Sequence, residues 1–324
     1  SRARVSFVKS ALKGCVVMLA FAAKHGKACL VLGLLAGLAL PELAAWLRPW
    51  LPQMIALLLF LTAFRIGPRD AVQSLGALRR TAGILLLLQL LLPLGFIGLL
   101  TVLHVPWSPL IMAIVLVLSA SSVTGTPNFT ILLGHDPAPA MRLLILGTAI
   151  LPLTVLPVFW LLPELGDVAA VMQAALRLVA VIMGAVGVAF ALRHWVWPQM
   201  RPETRTALDG ATAIALAVIV VALMSAIRPA LASDPLLLLG WLGAAFAVNF
   251  GMQFAAYLAM RVTGNHHDAV PVAIVAGNRN IALFLVALPP EITAPLLVFI
   301  GCYQFPMYLT PILLGRLYGP AIPH

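Results

Sequence analysis

Long apolar runs alternate along the chain with short polar or proline-rich stretches, and the alternation predicts ten membrane-crossing helices. The runs lie near 28–47, 53–67, 82–103, 109–134, 141–162, 169–192, 208–228, 235–259, 269–289 and 293–316. Most hold about 20 residues, enough for a helix rising ~1.5 Å per residue to cross a hydrocarbon core ~30 Å thick. The second run is shorter and draws on flanking residues to complete its crossing. Ahead of the first run, residues 1–27 place basic side chains around a short apolar segment. They lack the small-residue site of a cleaved signal peptide, and read instead as an interfacial amphipathic helix.

Composition agrees with an all-α polytopic membrane protein. Of 324 residues, 62% are hydrophobic and 9% charged, with a mean hydropathy of +1.07. Soluble domains carry about 45–50% apolar and about 25% charged residues. No hydrophilic stretch is long enough to form a separate domain. The three cysteines, Cys15, Cys29 and Cys302, form no CxxC pair and suggest no metal cage.

The net charge of +10 is topological and implies no nucleic-acid partner. With sides alternating after each span, one side collects six Lys/Arg before the first span, then Arg65, Arg69, Arg79, Arg80, Arg142, Arg193, Arg201, Arg205, Arg261 and Arg316. The other side collects Arg48 and Arg228, and Arg177 and Arg279 lie within spans. This is the positive-inside pattern. It predicts an integral plasma-membrane protein, in a bacterial inner membrane, with both termini cytoplasmic. A monomer accounts for the sequence as well as any oligomer does.

An internal repeat is also visible. "LLILGTAILPLTVLPVF" (143–159) and "LVFIGCYQFPMYLTPIL" (297–313) align Gly147 with Gly301, Pro152 with Pro306 and Pro157 with Pro311, and upstream Asn128 falls opposite Asn280. The halves, 28–163 and 168–318, would each hold five spans. An odd number makes them cross in opposite senses, the inverted-repeat plan of many secondary transporters.

Spans four and nine carry polar residues near their middles: "SASSVTGTPNFTILL" (119–133) and "VAGNRNIALFL" (275–285). Proline and glycine unwind a helix, and the freed backbone must be buried in protein or line a wet cavity. Matched breaks in two halves point to a transporter's binding site. Ser121 and Ser122 serve packing or binding equally well. Asn128 and Asn280 read as functional, because an amide without partners is costly in hydrocarbon.

Arg279 lies about ten residues from either end of its span, too deep to snorkel. All ten Asp and Glu fall in loops or at span ends. Its guanidinium therefore takes carbonyls at a half-helix C-terminus, water, or an anionic ligand such as a carboxylate or sulfate. Arg177 lies nearer a span end and can reach outward.

These features resemble the bile acid:sodium symporter family, within the wider group that includes arsenite exporters, over residues 24 to 318. "QLLLP" with Gln89, "GTPN" ending at Asn128, and "GNRNIAL" set against the family's "GMQNSGL" carry the likeness, with Tyr303 and Gln304 where the family often has a polar pair. The resemblance implies a core of spans 3–5 and 8–10 holding the crossed broken helices, and a panel of spans 1, 2, 6 and 7. It implies organic anions, bile-acid-like or smaller, bound near the crossover by Arg279, Asn280, Asn128, Thr126, Asn278, Gln89, Gln304 and Tyr303. The family's sodium ligands fall here on Val275, Arg279 and the neighbourhoods of Ala140–Met141 and Leu144–Ile145, which cannot ligate. Sodium-independent transport, with Arg279 in place of the ion's charge, is thus the leading expectation. The alternative is sodium symport with altered ligands, the ion held by Gln89, Thr126, Asn128 and Asn280.

Other classes fare worse. An intramembrane hydrolase built on Ser121 or Ser122 lacks an embedded base. Arsenite export lacks an acid beside Cys302. An anion sensor lacks an output domain. The embedded segments offer no carboxylate or histidine for a proton relay.

Overall fold

A computed structural model describes residues 16–73 and 77–319; most of the 1–27 segment lies outside the described residues. Among these residues the chain is helical, its single element of β pairing being an isolated bridge. Seven helices are long and apolar enough to cross a membrane: Pro41–Gln73, Leu78–Val102, Ala138–Trp160, Val168–Trp195, Pro202–Ser233, Pro235–Val262 and Pro290–Leu313. Large apolar side chains point outward from them, as Leu236, Leu239 and Leu258 do from Pro235–Val262. A chain that presents such surfaces on several helices is a polytopic helical membrane protein.

The chain divides into two compact units, one of Ser1–Arg69 with Met183–Ser225, the other of Asp70–Ile182 with Ala226–His324. The boundary falls inside Val168–Trp195, so the start of the sixth predicted span belongs to the larger unit.

In the smaller unit, Gly26–Ala39 lies along Pro202–Leu223. A Cβ at Gly33 would stand 2.8 Å from the carbonyl oxygen of Ala217, and one at Gly37 would stand 2.6 Å from Met224 Cβ. Small residues four apart let two backbones approach, and packing then holds them together. The first predicted span needs correction: its helix ends at Ala39, not near residue 47. Pro41 has no N–H, and it forces Leu40 out of helical geometry, to φ −118° and ψ 70°. Residues 41–47 instead begin the next long helix.

In the larger unit, Pro235–Val262 packs against Ala269–Gly277 and Leu297–Leu313. Its start is capped by Asp234, whose carboxylate accepts from the Leu237 amide. The third predicted span is one helix with a wide turn at Leu87–Leu91, where Leu92 N–H bonds to the Leu87 carbonyl. Pro93 causes this. It would clash with the carbonyl of Gln89 four residues back, and one extra residue in the turn relieves the clash.

Spans four and nine are broken. Pro109–Ser119 is followed by extended backbone and then Thr126–Leu132, whereas Ala269–Gly277 gives way at Asn278–Asn280 to a short turn and Phe284–Ala287. All of the site described next lies in the larger unit.

Candidate functional site: a crossover of two broken helices

The two breaks pair through their backbones. Ser122 lies opposite Arg279 in an antiparallel bridge. The Asn280 amide donates to the Ser121 carbonyl at 2.8 Å, and the Val123 amide donates to the Asn278 carbonyl at 2.9 Å. Each break thereby satisfies groups that the other has freed. Backbone that left a helix without this pairing would carry unmet donors and acceptors in an apolar interior.

Arg279 fixes the bridge from behind. It is 1% exposed. Its Nε donates to the Ala276 carbonyl at 2.8 Å, Nη1 to the Ala120 carbonyl at 2.8 Å and Nη2 to the Leu88 carbonyl at 3.2 Å. Each acceptor has a local origin. Ala276 is in the last turn of one half-helix and Ala120 caps the other, so both carry unpaired carbonyls and the negative end of a helix dipole. Leu88 is free because Pro93, its partner in the wide turn, has no N–H to give. Three spans thus converge on one guanidinium. Carbonyls, one of the three kinds of partner open to Arg279 in the sequence, take a bond from each of its three nitrogens.

Asn278 is fully buried. Its amide donates to the Ile274 carbonyl at 2.9 Å and its oxygen accepts from Asn249 and Thr310, each at 3.4 Å. Asn249 also donates to the Gly277 carbonyl at 2.7 Å, which the Tyr303 hydroxyl reaches at 2.5 Å. Gln253 continues the network by donating to Asn249 at 2.7 Å and to Thr310 at 2.9 Å, while accepting from the Tyr318 hydroxyl at 2.8 Å. Gly277 is needed for the close approach: an added Cβ would lie 2.3 Å from Gln253 Cγ and 2.4 Å from the Asn249 carbonyl.

On the other break, Thr126 shares a hydrogen bond with Ser122 at 2.8 Å and donates to the Val123 carbonyl. Thr148, one turn beyond the span-five positions weighed in the sequence, donates to Ser121 at 3.5 Å. Gln89 donates to the Gly147 carbonyl at 3.3 Å, while its buried Oε1 has no partner.

The structure therefore gathers Gln89, Thr126, Asn278, Arg279 and Tyr303 at the crossover. Gln304 is set apart, donating to the Ile300 carbonyl of its own helix. Asn128 is exposed and Asn280 half-exposed, and neither side chain makes a hydrogen bond to a described residue. Arg177 is exposed on Val168–Trp195. Sequence reasoning missed Asn249, Gln253 and Thr310. The detectable sign was "NFGMQ", which sets two amides four residues apart on one face of an apolar helix.

No family model matches the chain, and no curated protein matches it.

Proposed function

We propose that this protein is a secondary transporter of organic anions that works by alternating access without sodium, as a divergent member of the bile acid:sodium symporter family. The observation that carries the reading is the pairing of two mid-helix breaks across a buried polar cluster, an arrangement with a known use in solute translocation. The seven long helices, the bent opening pair and the two broken spans are in keeping with the ten apolar runs of the sequence.

Sodium does not fit the residues present. Val275 stands where a glutamate would be required, and it packs in an apolar cluster with Leu85, Ala140 and Leu143. The carbonyls of Leu88, Ala120 and Ala276, which a cation would seek, already face the guanidinium. A fixed positive charge there repels a second cation and favours an anion at short range, because low-dielectric surroundings screen it weakly. No described carboxylate pairs with it. Asn128, exposed, and Asn280, half-exposed, make no side-chain hydrogen bond to a described residue and are assigned to the solute.

Uptake of a panel of organic carboxylates and sulfates into liposomes holding the purified protein tests this. Saturable uptake that is equal with and without a sodium gradient is expected. Uptake that requires the gradient would return the chain to sodium symport, and the absence of uptake for every anion would remove the substrate class.

A further inference from the structure

The smaller unit holds a second buried arginine, with a donor to spare. Arg193 lies in the last turn of Val168–Trp195 and is 9% exposed. Its guanidinium rests on Gly67, where an added Cβ would stand 3.1 Å from Nη2 and 3.2 Å from Nε. Gly67 has φ +78° and precedes Pro68 within Leu51–Gln73. Glycine is thus required for backbone that L side chains avoid, and an added methyl would also press the guanidinium aside by a few tenths of an ångström.

Arg193 donates from Nη1 to the Trp197 carbonyl, whereas Nε is buried without a partner. No ion pair among the described residues includes Arg193. Asp209, a carboxylate of the same unit, is held by Arg65 at 2.8 Å. A guanidinium keeps its charge at any ordinary pH, and a buried donor left unmet is costly.

Nη2 makes no hydrogen bond to a described residue and is not sealed as Nε is, and the surroundings indicate what meets it. Trp195 and Trp197 flank the site at 78% and 52% exposure. Exposed tryptophans at a helix end mark the membrane–water interface, the level of lipid phosphates. Arg69, Arg201 and Arg205 are exposed on adjoining segments of the unit. The charge distribution assigns this end to the cytoplasmic leaflet, which is rich in anionic lipid.

We propose that Arg193, seated on the Gly67 kink, is a phosphate site filled from the bilayer by an anionic phospholipid headgroup. Nη2, which is neither sealed like Nε nor bonded like Nη1, donates to a free oxygen of the phosphodiester, a charge-assisted hydrogen bond. The exposed arginines supply the preference for an anionic lipid, and the tryptophans hold the site at the right depth. The inference does not depend on the transport reading.

Native mass spectrometry of the purified full chain tests it, with dioleoyl phosphatidylglycerol, diacylglycerol of the same chains and inorganic phosphate as probes. The wild type is expected to retain phosphatidylglycerol and not diacylglycerol, with retention undiminished by excess inorganic phosphate. Arg193→Gln should lower phosphatidylglycerol retention about tenfold, as loss of a charged hydrogen bond implies, and Arg193→Lys should recover part of it. Equal retention by Arg193→Gln would overturn the proposal, and displacement by inorganic phosphate would overturn its lipid source. If Arg193→Gln does not fold, phosphatidylglycerol with a photoreactive headgroup decides on the wild type. Cross-links within residues 190–201 support the site, and cross-links confined elsewhere refute it.

Discussion

Arg279 and Arg193 are both buried, yet the chain treats their charges differently. Arg279 meets three carbonyls from three separate spans, each left open by a helix end or a proline. Arg193 meets one carbonyl four residues along its own chain and keeps a donor unmet. The first charge is resolved within the protein and serves to hold three segments in register. The second is left for something outside the chain. Burial alone therefore does not separate a structural arginine from a binding one; the inventory of its donors does.

Five substitutions at four positions sharpen the contrast. The largest effect is expected from Arg279→Gln, which leaves buried carbonyls without their cation. A loss of about 1–3 kcal/mol is expected for each buried carbonyl that the glutamine cannot reach, read as a large fall in melting temperature in detergent. Arg279→Lys should fall between, since a point charge cannot span three acceptors. A variant that melts with wild type would dissolve the distinction drawn above.

Gly67→Ala comes next. Backbone at φ +78° and ψ 161° is open essentially to glycine alone and costs an L residue roughly 1–3 kcal/mol, and the added methyl also crowds the Arg193 guanidinium. Its melting loss should be smaller than that of Arg279→Gln and confined to the smaller unit, a point that hydrogen exchange along Leu51–Gln73 checks.

The smallest effect on stability belongs to Asn128→Ala and Asn280→Ala. Neither amide is committed to the fold, so stability should change by no more than about 0.5 kcal/mol. On the proposed function, uptake should nonetheless fall in both. Loss of stability with uptake retained would mark them as packing residues.

Much of this was legible in the sequence. "GTPN" and "GNRN" marked the breaks because unwound backbone needs glycine, proline and polar side chains wherever it occurs. The isolation of Arg279 from carboxylates followed from counting acids. Its acceptors were not legible, because a carbonyl exists at every residue and only three-dimensional context shows which ones are free. Leu88 is the clearest example, since Pro93 releases its carbonyl only once the turn widens. The first helix was misjudged for a related reason: the apolar run continues through Pro41, and hydropathy does not register a missing N–H. Asn249 and Gln253 were passed over because two amides in an apolar helix do not interrupt its pattern.

The three carbonyls around Arg279 also bear on energy coupling. A cation delivered by the chain itself has no concentration in the medium and no gradient across the membrane. Its occupancy is unity on both faces and at every stage of a cycle. On the proposed reading, the protein draws no work from a sodium gradient. Its solute moves down its own electrochemical gradient or in exchange for another anion, and any accumulation is set by the partner anion or by what the cell does with the solute after arrival.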